Sequence, residues 1–105
     1  MVILNSEELA KFICELHDCA DRYNEAEYQR KYGDIEKAIE LHKMNVESKV
    51  DYSASYISLA EIYHELNDME NEMMILKKGI AESDDESRVE DMKFKLIKLE
   101  KNYMK

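Results

Sequence analysis

The sequence holds no proline, no tryptophan and only two glycines, Gly33 and Gly79. Proline and glycine are the usual punctuation of β structure and long loops. Their scarcity argues against a strand-and-turn architecture and favours long helices joined by short polar corners. No apolar run approaches the roughly 18 residues of a membrane-spanning helix, and the opening Met1-Val2-Ile3-Leu4 is too short for the apolar part of a secretory leader. Cysteine is scarce as well. Cys14 and Cys19 lie five apart, roughly 140° round a helix, and cannot pair without breaking it. Two unpaired thiols and no leader predict a reducing, cytoplasmic setting.

What the sequence does hold is charge. Charged residues make up 37% of the 105 positions and apolar residues 45%, with a net charge of −9. Residues 1–86 carry 9 Lys/Arg against 21 Asp/Glu, whereas residues 87–105 carry 6 against 3. A field this negative opposes direct binding to nucleic acid or an anionic membrane and favours basic or polar protein partners. Much of the charge also serves to keep a small helical protein in solution.

The periodicity predicts one helical domain over 1–105. Asn5, with Glu8 three residues on, opens a first helix whose stripe runs Leu9, Phe12, Ile13, Leu16, Ala20 and Tyr23. With no breaker before Gly33, residues 6–32 read either as one helix or as two, bent near His17-Asp18. Gly33, able to take the left-handed conformation, reads as the helix stop, with Asp34 capping the next, which runs to about Ser48. Ser53 opens a third helix. Asn67 with Glu70 is a capping-box variant opening a fourth, which ends near Glu82. A fifth, after Ser83-Asp84-Asp85-Glu86, carries Val89, Met92, Leu96, Leu99 and Tyr103 on one face, with Phe94 and Ile97 beside them. The expected fold is all-α, five helices in antiparallel hairpins.

A spacing of 34 residues runs through this pattern. Ala26, Gly33, Asp34, Ile35, Glu36, Ile39 and Val46 are answered by Ala60, Asn67, Asp68, Met69, Glu70, Met73 and Ile80. That is the period of the tetratricopeptide helix-turn-helix repeat, and the chain resembles that family over 19–52 and 53–86. In the second segment Tyr56, Leu59, Ala60 and Tyr63 are similar to the first-helix positions. Asn67-Asp68-Met69-Glu70 is similar to the corner, and Leu76 and Gly79 to the large and small positions of the second helix. The first segment departs more, with Arg22 and Gln29 where aromatics are usual. Glu72, Val50 and Asp84 also depart from the pattern. Residues 5–18 are then an N-terminal helix continuous with, or preceding, the first repeat, and 87–105 a capping helix.

The resemblance implies a groove lined by first-helix residues, here Tyr23, Glu27, Arg30 and Lys31, then Ile57, Glu61, His64 and Glu65. Family members that grip a C-terminal carboxylate use Lys and Asn where this chain has Tyr23, Glu27, Ile57 and Glu61. The resemblance therefore implies a basic or apolar peptide or helix as partner. The plainer reading is that Glu27, Glu61 and Glu65 form a solvated helix face.

Motifs for chemistry are sparse. Cys14 and His17 share a helix face at a spacing that a metal can use, but zinc needs two more ligands, and His42 and His64 lie in other helices. Packed side chains are the expected role of these residues, and no metal or cofactor is expected. Paired acids such as Glu7-Glu8 and the run 84–86 suit helix N-termini better than acid catalysis or a calcium loop. No phosphate-binding loop or nucleophile arrangement stands out. Tyr52, Tyr56 and Tyr63 with Met69, Met73 and Met74 read as core or as an adaptable surface. The lysines of the last helix read as a solubilising cap or as a partner contact.

These observations predict no enzyme. The expected function is a small adaptor or regulator acting in protein-protein interaction through a repeat groove, without direct nucleic-acid or membrane contact. The alternative is an acidic inhibitor that mimics nucleic acid, which needs its carboxylates in a stripe on one face. A third is a structural subunit that folds only within a larger complex. Two repeats are few for an isolated solenoid, so self-association through the long first helix or an exposed repeat edge is a further expectation.

Overall fold

The computed structural model describes residues 5–103, with the side chain of Tyr103 excluded. The opening Met1–Leu4 and the closing Met104 and Lys105 lie outside them. Five helices account for nearly all of this span: α1 (Ser6–Tyr32), α2 (Ile35–Val46), α3 (Ser53–Glu65), α4 (Met69–Glu82) and α5 (Glu86–Tyr103). No strand occurs among the described residues, and no helix there is long and apolar enough to cross a membrane. α1 is unbroken through His17-Asp18, which settles the alternative left open by the pattern.

The helix starts follow from short polar side chains that accept otherwise orphaned backbone N–H groups. Asn5 accepts from the Glu8 N–H at 2.8 Å, and Asp34 accepts from Glu36 and Lys37. Two corners differ in detail from expectation. Gly33 stops α1 without being left-handed, with φ −137. The turn is closed instead by its N–H donating to the Gln29 carbonyl, and by the Asp34 N–H donating to the Gln29 side chain. Asn67 does not cap α4. It takes the positive φ of 58 that turns the chain out of α3, and Asp68 caps α4 by accepting from the Asn71 N–H. Asn tolerates the left-handed region and Asp is the stronger cap, so each residue takes the role its chemistry favours.

Consecutive helices pack against each other and α3 also touches α5. Contacts of α1 with α3 run through Tyr23 to Ser58 and Arg30 to Glu61. The odd-numbered helices thus form one layer and α2 and α4 the other, in a body of 53 × 35 × 17 Å. The main core joins Val46, Tyr56, Leu59, Tyr63, Ile75, Leu76, Met92 and Leu99. A smaller one forms where Ala26 and Ala38 let α1 and α2 approach over Ile62. Positions 34 apart do matching work: Asp34 and Asp68 both cap, and Ala26 and Ala60 are both buried.

The C-terminal helix is docked. Met92 is fully buried against Gly79, and Leu99 is buried with it. Phe94 and Ile97 are exposed, on the side of α5 away from that contact. Tyr56 and Tyr63 are core, Tyr52, Met69 and Met73 are half-buried, and Met74 is exposed.

Candidate functional site: a groove between α1, α3 and α5

Beneath the site lies a buried polar network that fixes α1 and α2 against α3. Asn45, buried near the end of α2, donates to the Cys19 carbonyl and to Ser55 Oγ, both at 2.9 Å. Its Oδ1 accepts from Arg22 Nε at 2.8 Å. His42 Nδ1 lies 3.2 Å from Ser55 Oγ and its Nε2 lies 3.1 Å from Glu27 Oε1. One proton arrangement satisfies every member. The Asn45 amide donates to Ser55, the Ser55 hydroxyl donates to Nδ1, and Nε2–H donates to the Glu27 carboxylate. Burial lowers the His42 pKa against the opposing pull of Glu27, so the ring is neutral at pH 7. Among the described residues, no buried side-chain polar atom lacks a partner.

Ser55, His42 and Glu27 thus form a serine-histidine-carboxylate chain that nothing in the spacing of the sequence suggests. Its geometry does not reach a substrate. Ser55 and His42 are both fully buried, and Ser55 already donates to one neighbour and accepts from another. The arrangement positions helices.

Glu27 carries the network outward to the surface. Its other oxygen lies 3.7 Å from Arg30, which also reaches Glu61 at 3.2 Å and Glu65 at 2.5 Å across to α3. Burial alone would lower the Arg30 pKa, but hydrogen bonds to Glu65 and Glu61 outweigh it and raise the value. One guanidinium therefore organises three carboxylates and joins α1 to α3. Toward α4, His64 Nδ1 lies 3.1 Å from Glu72, and both side chains line the same groove as Glu61 and Glu65.

These groups wall a groove of about 440 Å³. Arg30, Glu61, His64 and Glu65 lie along it, Ala60 and Leu99 contribute its apolar floor, and Lys95, Lys98 and Asn102 close it from α5. Four of the eight residues expected from the sequence therefore meet there. The other four do not. Glu27 is held behind the wall by His42 and Arg30. Tyr23 packs on the His42 ring, and its hydroxyl accepts from Ser58. Ile57 packs on the core, and Lys31 lies over the Tyr32 ring instead of in the groove.

The α5 lysines, read from the sequence as a solubilising cap or a partner contact, were not among the residues expected in the groove. The lysine excess after residue 87 was the one trace of their contribution. Lys95 and Lys98 reach the groove because they flank the buried Met92–Leu99 face, a relation set by how α5 docks. Cys14 and His17 were expected to pack, but both are exposed on the part of α1 that no other helix covers; only Cys19 and His42 are buried. Among the described residues, no group of three or more His, Cys, Asp or Glu is arranged to hold a metal ion. No family model matches the chain, and neither a curated protein nor a solved structure matches it.

Proposed function

We propose that this chain is a small protein-protein interaction module, an adaptor or regulator without chemistry of its own, that receives a partner peptide or helix in the α1–α3–α5 groove. The observation that carries the reading is the groove's lining. An apolar floor at Ala60 and Leu99 lies between an acidic wall of Glu61 and Glu65 and a basic wall of Lys95 and Lys98. An apolar centre with a polar rim is the usual anatomy of a protein-binding surface. The 34-residue period supports a tetratricopeptide-like ancestry for the two hairpins, and such repeats present shaped surfaces to partners.

The partner's chemistry follows from the walls. Arg30 already compensates Glu61 and Glu65, so a purely basic ligand gains less there than the bare acid count implies. The better ligand carries an apolar residue between a basic and an acidic one. Mimicry of nucleic acid requires unbroken carboxylates, whereas in this groove Glu61 and Glu65 are bound by Arg30 and stand opposite Lys95 and Lys98, which favours the adaptor reading. A photoreactive residue at His64 tests it: the reading expects crosslinks to a bound protein that a probe at the exposed Lys77 of α4 does not give. Equal labelling from both positions would reject the groove.

A further inference from the structure

The first thirteen residues of α1 carry an apolar stripe that nothing among the described residues covers. Leu9, Phe12, Ile13 and Leu16 are 47%, 43%, 44% and 37% exposed, although their i, i+3, i+4, i+7 spacing is that of a packed face. The cause is a mismatch of length. α1 has 27 residues and α2 has 12, or about 40 Å against about 18 Å of helix. The Asn45–Cys19 hydrogen bond marks where α2 ends along α1, and no residue from Asn5 to Asp18 is buried.

The last helix offers the matching surface. Phe94 and Ile97 are 61% and 54% exposed, on the side of α5 opposite Met92 and Leu99. The two segments differ in charge: residues 6–18 hold four acids and one lysine, and residues 93–102 hold four lysines and one acid, with Lys93 and Lys95 paired to Glu90 and Asp91 of their own helix and Lys98 and Lys101 left to face a partner. We propose that the α1 stripe of one copy docks on the outer face of α5 of a second copy, head to tail.

Three points favour this occupant. The two surfaces belong to the first and last helices of the array, which do not pack on each other within one chain. Pairing two α1 stripes would press two acid-rich segments together, whereas α1 on α5 sets acids against lysines. Helical hairpin arrays also bury their open faces by stacking the next unit, and here the next unit is another copy. A contact of two helical turns is smaller than a standard interface, so the association is weak. Because it is heterologous it is open-ended, and the mass keeps rising beyond a dimer. The apolar residues of the two docking faces, Leu9, Phe12, Ile13, Leu16, Phe94 and Ile97, all lie outside the groove lining.

Sedimentation in reducing buffer, which silences the exposed Cys14, is the test. Two double variants leave charge unchanged and alter only exposed positions: Phe12→Gln with Ile13→Gln, and Phe94→Gln with Ile97→Gln. The expected result is a wild-type mass that rises with concentration and falls back in high salt. Each double variant associates at least tenfold more weakly, with its circular dichroism retained. Mixed together, the two form a complex that stops at two chains, because one keeps only the α5 surface and the other only the α1 stripe. A wild type that stays monomeric to millimolar concentration overturns the proposal. So does an α5 variant that associates like wild type, or a mixture that stays monomeric.

Discussion

His42 and Glu27 meet at 3.1 Å across the α1–α2 interface, the imidazole fully buried and the carboxylate half-buried. The pair links the interior to the groove, because Glu27 also contacts Arg30 and Arg30 holds the α3 acids. Rigidity at the groove wall is therefore coupled to a neutral, hydrogen-bonded histidine.

That coupling has a pH signature. Burial lowers the His42 pKa from 6.5, so below that pH the unfolded chain binds more protons at this site than the folded one. The contribution is complete above pH 6.5 and is lost as the pH falls toward the folded value. Thermal unfolding should show a lower Tm at pH 5.5 than at pH 7.5. His42→Gln, which cannot titrate, should flatten the slope in that window while lowering stability throughout.

Asn45 is expected to be more costly to remove than any surface polar residue. Asn45→Ala takes away both donors to Cys19 and Ser55 and the acceptor for Arg22. Loss of buried partners of this kind costs about 2–3 kcal/mol. Urea denaturation should show that loss, and Asn45→Asp should not recover it, since it restores the acceptor but not the amide donors.

Gly79 of α4 lies directly against Met92 of α5 and Tyr56 of α3. A Cβ there would collide with the Met92 sulfur and lie 3.1 Å from the Tyr56 ring, both in the core. Helix propensity favours Ala over Gly by about 1 kcal/mol, but overpacking a full core costs about 1–3 kcal/mol. Gly79→Ala should therefore lower the denaturation midpoint. A gain in stability would mean that Met92 swings aside freely and α5 is less firmly seated than its burial implies.

The helices were legible because each apolar residue that packs also repeats at helical spacing, as Met92, Leu96 and Leu99 do. Asn5 and Asp34 were legible as caps because capping is a local hydrogen bond. Asn67 and Asp68, adjacent and both competent, could be told apart only by which one takes the positive φ. Phe94 and Ile97 adjoined the stripe in sequence but face away from it, a distinction set by where α4 lies. The His42–Ser55–Asn45 network left no trace, since Ser55 sits 13 and 10 residues from His42 and Asn45 and meets them only when α2 and α3 pack. Arg30 and Glu65 were assigned to one groove through the repeat period. Lys95 and Lys98 lie outside the two repeats, so the period gave them no place.

The most direct test is affinity capture from a nuclease-treated native lysate with wild type, Glu61→Lys and Lys98→Glu, and with Lys77→Glu on the exposed side of α4 as control. The groove account expects a protein partner held by wild type and by the control, and lost by both groove variants with their helical signal unchanged. A partner retained by both groove variants, or one displaced from wild type by added DNA or RNA, would contradict it.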